Sequence, residues 1–363
     1  MARSFRFRAT PMRRLFLLIV ATVGILLARV PARADDLLLD RFRDYLEALR
    51  IQAGVPGLAA AVVGYTETPW ERAFGKQDLE RSIATRTDTP FEIDGLAEVL
   101  SSAIVLRCVE EGQLSLDDRI GKFTPGSADA QITIRQALSH TSADQVYRYR
   151  PDRVEALAPA IAACTGNTFV ETFARRLVYL GMRDSVPGLD VVQQAPSAVG
   201  TLTSSTLDGY RAVLSRLAAP YSVDSRGVAT LSRYASTTVT PVRGLISTVP
   251  DLEQFMSGLR KGLGVLPKPE TLALAWQPAI GADGQRLPHG LGWFVQSYNG
   301  VTIVWQFGVS QGASSSLIVT VPARGITLIL LANSDGLSSP FALANGDLTS
   351  SPFGRLFLGL FAR

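Results

Sequence analysis

Apolar and polar positions along the 363-residue chain change period twice. Residues 37–52 place apolar side chains at helical spacing among charged ones and predict an amphipathic helix. The short apolar run Gly57–Val63, the turn-like Thr66-Glu67-Thr68-Pro69 and the run at 70–74 together predict a hairpin. From 96 to 108 the pattern is helical again: Val99, Leu100, Ala103, Ile104, Leu106 and, just beyond, Val109 fit a buried helix that Gly112 is placed to end. Helical signals dominate from there to Arg176. The far end turns strand-like, with runs at 292–296, 301–307, 315–321 and 326–332 separated by turn residues such as Asn299-Gly300 and Pro322-Ala323-Arg324-Gly325. These predict an antiparallel meander, followed by a last helix at 354–361. The fold class expected is therefore α+β, with an antiparallel sheet built from both chain ends (about 55–90 and 285–335), flanked by helices, and a mainly helical region inserted at about 95–240.

The first 34 residues change the reading of charge. An Arg-rich start, an apolar run at 15–28 and the triplet Ala32-Arg33-Ala34 have the layout of a secretory signal cleaved before Asp35. The run is shorter than the roughly 20 residues of a spanning helix, which favours cleavage over a retained anchor. Arg13-Arg14-Leu15 also resembles a twin-arginine export signal, with ordinary export as the alternative. Seven arginines lie in this segment, so its removal turns a formal charge of +4 into −3. No basic stripe remains to suggest nucleic acid, and no membrane contact is expected beyond the signal itself. The expectation is export to the periplasm or the exterior as one composite domain, 35–363, since no linker divides it. Cys108 and Cys164 would meet an oxidising compartment there, where a bridge can form; two separate buried thiols are the simpler reading, because sequence gives no Cα separation.

Several phrases recur in one order. Gly54-Val55-Pro56-Gly57 precedes the hairpin, and Thr89-Pro90-Phe91-Glu92-Ile93 leads into the helix that ends at Glu111-Gly112-Gln113-Leu114-Ser115-Leu116-Asp117-Asp118. Then come Ala137-Leu138-Ser139-His140-Thr141-Ser142, Leu180-Gly181-Met182-Arg183-Asp184-Ser185, Gly244-Leu245-Ile246-Ser247-Thr248, Gly290-Leu291-Gly292-Trp293 and Leu330-Leu331-Ala332-Asn333-Ser334-Asp335. Together these resemble the serine β-lactamases and penicillin-binding proteins, in their class C and esterase-like branch, across nearly the whole chain after residue 34. Ala143 stands where the resemblance would have Gly.

The resemblance implies a Ser and a Lys one helical turn apart, the amine taking the hydroxyl proton so that the oxygen can attack a carbonyl. Aligned on Phe91-x-Ile93, those positions hold Gly95 and Glu98. The loss does not depend on register: the four lysines, 76, 122, 261 and 268, follow Ala73, Arg119, Gly258 and Val265 at that spacing, so the chain contains no Ser-x-x-Lys. A Tyr-x-Asn motif falls on Tyr149-Arg150-Pro151, which keeps the Tyr and loses the Asn; Tyr147 competes if the register slips by two. A third motif, carrying a cation on a strand, reads Gln306-Phe307-Gly308, where an amide replaces the charge. The N–H groups of Gly95 and Val309 would be what is left of an oxyanion hole.

Gly308-Val309-Ser310-Gln311-Gly312 also spells the nucleophile elbow Gly-x-Ser-x-Gly, but a strand and not a helix is expected after it, and no His follows Ser310. The two histidines, His140 and His289, and the two distant cysteines show no metal-ligand spacing, so no metal and no other cofactor is expected. His140 reads as a side chain that holds a loop, and His289, after Pro288, as part of a surface turn. The function implied is that of a catalytically silent member, binding a cell-wall peptide, an acyl ligand or an envelope protein through a degenerate pocket of Gly95, Glu98, Tyr149, Gln306, Gly308 and Val309. The alternative is a hydrolase of ester, amide or β-lactam bonds in which Glu98 serves as base and Tyr149 as acid.

Overall fold

The computed structural model describes residues 30–194, 202–235 and 237–363. The expected signal at 1–34 thus lies outside the described residues over its first 29 positions. No described helix is long and apolar enough to cross a membrane. Up to Asp44 the described chain is a stretch of helix α1 (Val30–Gln52) and belongs to one compact unit; Tyr45–Arg363 makes the other.

In that larger unit the opening hairpin supplies β1 (Gly57–Val63), β2 (Trp70–Asp78) and the short β3 (Ile83–Ala84). Helix α2 (Ala97–Glu110) follows β4 (Phe91–Glu92) and a single 3-10 turn, Asp94–Leu96. The helical region then runs through α3 (Ile134–Leu138), α4 (Pro151–Glu155), α5 (Ala158–Thr165) and α6 (Phe169–Tyr179). After β5 (Val186–Pro187) come α7 (Ser204–Leu214), β6 (Tyr221–Val223), β7 (Ala229–Leu231), β8 (Leu245–Ser247), α8 (Val249–Lys261) and α9 (Pro269–Ala275). The closing meander is β9 (Phe294–Tyr298), β10 (Val301–Ser310), β11 (Ser314–Val321) and β12 (Ile326–Ala332), and α10 (Pro352–Phe361) ends the chain.

The main sheet has seven strands in the order β3-β2-β1-β12-β11-β10-β9, antiparallel throughout. The early and late parts of the chain join in it where Leu58 pairs with Ala332 and Val63 with Thr327, so the α+β architecture expected from sequence is the one observed. Strands β1, β11 and β12 are buried along their whole length, which is why their apolar runs are continuous instead of alternating. Helix α8 packs on β1 and β12. Its first turn is capped by Thr248, whose hydroxyl accepts the Asp251 N–H, and it stops at Gly262 in the left-handed region.

Three expectations change. Strand β10 continues past Gly308 to Ser310, because Val309 and Ser310 keep pairing with Ser315 and Ser314 where a glycine alone reads as a breaker. The Gly-x-Ser-x-Gly segment is consequently a hairpin tip between two strands. Cys108 and Cys164 are joined in a disulfide with Cα atoms 6.1 Å apart, tying α2 to α5, so the reading as separate thiols is corrected. His289 is fully buried and bridges to Phe294; the turn that Pro288 suggested is folded inward under aromatic rings.

Candidate functional site

The approach to α2 is pinned from the sheet. Ser314 Oγ donates to Glu92 Oε2 at 2.6 Å, Ser316 Oγ donates to the Ile93 carbonyl at 2.6 Å, and the Ile93 N–H reaches the Leu245 carbonyl at 2.9 Å. This draws the 3-10 turn onto β10 so closely that neither facing residue has room for a side chain. A Cβ on Gly95 would lie 2.4 Å from the Phe307 carbonyl oxygen and 3.1 Å from Gly308 Cα, while one on Gly308 would lie 2.2 Å from the Ile93 carbonyl oxygen. The obstacles are backbone atoms, so a serine at 95 requires the strand to move. Asp94 precedes Gly95 with φ +41°, a left-handed conformation that costs a non-glycine residue about 1 kcal/mol.

In the first turn of α2, three residues on from Gly95, Glu98 is fully buried and its Oε1 is 3.1 Å from Nε2 of His140, also fully buried. The ring's other nitrogen, Nδ1, accepts the backbone N–H of Arg150 at 3.0 Å. A nitrogen that accepts carries no proton, so the proton sits on Nε2 and is donated to Glu98. His140 itself has φ +50°, and its carbonyl accepts the Arg148 N–H at 2.9 Å; it therefore holds the loop at both ends, as expected. The second histidine packs edge-on against the first, ring centroids 4.6 Å apart. His289 Nδ1 donates to the Gly290 carbonyl at 2.9 Å, which leaves Nε2 as a bare lone pair. Burial, reinforced by the adjacent His140, holds this imidazole well below the usual histidine range, the Gly290 and Leu138 carbonyls offsetting only part of it. Ligand atoms of Glu98, His140 and His289 all lie within 4.8 Å of one another.

Tyr149 covers this cluster, its ring 4.6 Å from His140 and stacked on Phe307 at 5.6 Å. Burial, then the nearby Glu98, raises its hydroxyl well above the usual phenol range, so it stays protonated at ordinary pH and cannot serve as a base. Tyr147, the competing candidate, spends its hydroxyl on the Ala344 carbonyl at 2.7 Å. Gln306 is buried, and its amide is consumed by backbone: Nε2 donates to Gly292 at 3.4 Å and Oε1 accepts the Phe307 N–H at 2.9 Å. Val309 lies one residue past Gly308, half-buried and paired with Ser315. The structure thus gathers Gly95, Glu98, Tyr149, Gln306 and Gly308 around the junction of α2 and β10. Among the described residues, cavities of about 630, 760, 400 and 650 Å³ open, and none of these is lined by those residues. The last abuts them, because Ser139, Thr141 and Gly290, chain neighbours of the two histidines, form part of its wall.

Sequence reading missed His289 as a member of this cluster. It stands 149 positions after His140, and the two meet through tertiary packing alone, so spacing carries no trace of the pairing. The acids beside Gly95, the buried Glu92 and the half-buried Asp94, were missed too. Burial, compounded by the charge of Glu92 and eased by Arg243, pushes Asp94 up to about 8, and burial also raises Glu92 against the hydrogen bonds it accepts.

Comparison with known proteins agrees with this geometry. The beta-lactamase family model matches residues 42–348. Penicillin-binding protein 4 of Amycolatopsis lactamdurans is 35% identical over 107 residues, which is 28% of this chain and 28% of that protein, so the chain spans well under a third of that curated relative. Among solved structures, the octameric penicillin-binding protein homologue from Pyrococcus abyssi superposes with TM-score 0.71 at 16% identity, over 90% of this chain and 78% of its own. The D-alanine carboxypeptidase AmpC of Burkholderia cenocepacia gives 0.63 at 18% identity, over 82% and 94%. At these identities the structural likeness speaks for the fold.

Proposed function

Because this chain belongs to the beta-lactamase family, we propose that it is an exported member that forms no acyl-enzyme and serves instead to bind a cell-wall peptide, an acyl compound or an envelope protein. One observation carries the reading: at the position where the family resemblance calls for a nucleophilic serine stands Gly95, and a Cβ there would meet the Phe307 carbonyl oxygen at 2.4 Å. Glu98, in place of the amine, offers its Oε1 to His140 and supplies no positive charge. The cavity of about 650 Å³ beside Ser139 and Thr141 is the natural seat for a small ligand, since it adjoins the altered site without needing its chemistry.

A hydrolase using Glu98 as base draws less support, because that carboxylate is fully buried under Tyr149 and no described cavity reaches it. Turnover separates the two readings. With a chromogenic cephalosporin and a p-nitrophenyl ester, the purified protein is expected to match buffer alone. Saturable turnover overturns the binding reading, and its loss in Glu98→Gln would assign the reaction to that carboxylate.

A further inference from the structure

The hydrogen bonds around Glu98 leave two acceptor atoms stranded in the same small volume. Glu98 Oε2 and His289 Nε2 are buried and have no hydrogen-bond partner among the described residues. Neither can satisfy the other: a carboxylate oxygen only accepts, and Nε2 holds a lone pair because Nδ1 carries the proton given to Gly290. Buried polar atoms are almost always paired, so two unpaired acceptors on residues whose ligand atoms lie within 4.8 Å of one another point to a missing electron-pair acceptor. A glutamine at 98 would remove the problem, its carbonyl accepting from His140 and its amide donating toward His289. Glutamate leaves the vacancy and adds a negative charge to it.

We propose that Glu98 Oε2 and His289 Nε2 bind one divalent transition-metal ion of the zinc type, with His140 holding the carboxylate in position. An imidazole nitrogen with a carboxylate oxygen is a donor pair suited to such ions, and it leaves coordination positions open to water. His140 acts through Glu98: its Nδ1 is occupied by the Arg150 N–H, its Nε2 proton points at Oε1, and a hydrogen-bonded carboxylate is a better-oriented ligand. Metal bonds near 2.1 Å place neighbouring tetrahedral ligands roughly 3.4 Å apart. The cluster, with its ligand atoms within 4.8 Å of one another, closes to that by a shift of roughly 1 Å or more. Tyr147, whose ring stacks on His289, and Tyr149, on His140, cap the site and are half-buried, so uptake requires them to move and is slow. The proposal stands apart from whether the protein acylates, and its test uses different signals.

Untagged, chelator-stripped full-length protein is titrated with zinc by calorimetry, and the imidazole nitrogens are followed by long-range 1H–15N spectra. Only two histidines exist in the chain, so each nitrogen is read without ambiguity. The expected result is one equivalent bound, at least tenfold weaker in Glu98→Gln and in His289→Gln, with His289 Nε2 shifted and the His140 Nε2 proton retained. Glu98→Gln keeps the hydrogen-bond network and so stays folded, and the wild-type spectra need no variant at all. Absence of saturable binding, undiminished binding in either variant, or metal on a His140 nitrogen overturns the proposal.

Discussion

At the C-terminal end of α2 the charged and covalent groups are paired. Arg107 reaches Glu110 at 3.1 Å and Glu111 at 2.7 Å, Gly112 turns the chain through a left-handed conformation, and Cys108 is bonded to Cys164. Fourteen residues earlier, at Glu98, the same helix begins among features that cost stability: a strained Asp94, a glycine pressed against backbone, a buried carboxylate with one oxygen unpaired, and a histidine in the left-handed region. The helix is one rigid scaffold serving two purposes. Strain and orphaned polar atoms can persist where something other than stability is selected, and here two strained residues and two unpaired atoms meet at the end that the family resemblance assigns to chemistry.

The contrast can be broken most forcefully at the stable end. Replacing both cysteines by serine opens a cross-link across 56 positions and should cost about 4 kcal/mol in denaturant unfolding, with the zinc titration unchanged. A loss below about 1 kcal/mol would mean that the covalent tie does not anchor α2. At the other end, Gly95→Ala should lose about 2–3 kcal/mol, since its new methyl meets backbone that cannot swing aside. For the same reason Gly95→Ser with Glu98→Lys should fail to acylate; rapid acylation would show that β10 yields.

Acidity sharpens the comparison further. Asp94 sits at about 8 in the fold against an ordinary 3.8, so between those values the native state keeps a proton that the unfolded chain has released. Stability is then full below about pH 4 and drains as pH rises toward 8, by about 1–2 kcal/mol between pH 5 and 7 after allowing for its coupling to Glu92. Melting curves should show this slope flattened in Asp94→Asn, and an unchanged slope would place the effect elsewhere. The smallest effect runs in the stabilising direction. Metal-free Glu98→Gln should gain about 1 kcal/mol, because the amide satisfies both stranded atoms; a loss would mean that the carboxylate already has its partner.

Legibility followed the same division. The hairpin and the meander were readable because buried strands write continuous apolar runs, and the phrase Phe91-Glu92-Ile93 drew attention to Gly95 and Glu98, which the structure places just before and at the start of α2. The cross-link was not, since a Cα separation of 6.1 Å between residues 56 apart is a product of how α2 meets α5. His289 was misread for a physical reason as well: Pro-His-Gly has turn chemistry, and only the rings of Phe294 and Tyr147 packed around it make the turn an interior one. The absence of Ser-x-x-Lys, and Gly95 and Glu98 at the aligned positions, are legible in the sequence; the buried histidines packed beside Glu98 and the backbone pressed on Gly95 needed coordinates.

Intact-mass spectrometry after prolonged incubation with a penicillin and, separately, a fluorophosphonate tests the central claim most directly. The account predicts a protein mass unchanged by either reagent. A stoichiometric adduct, mapped to any serine within the junction of α2 and β10, would contradict it.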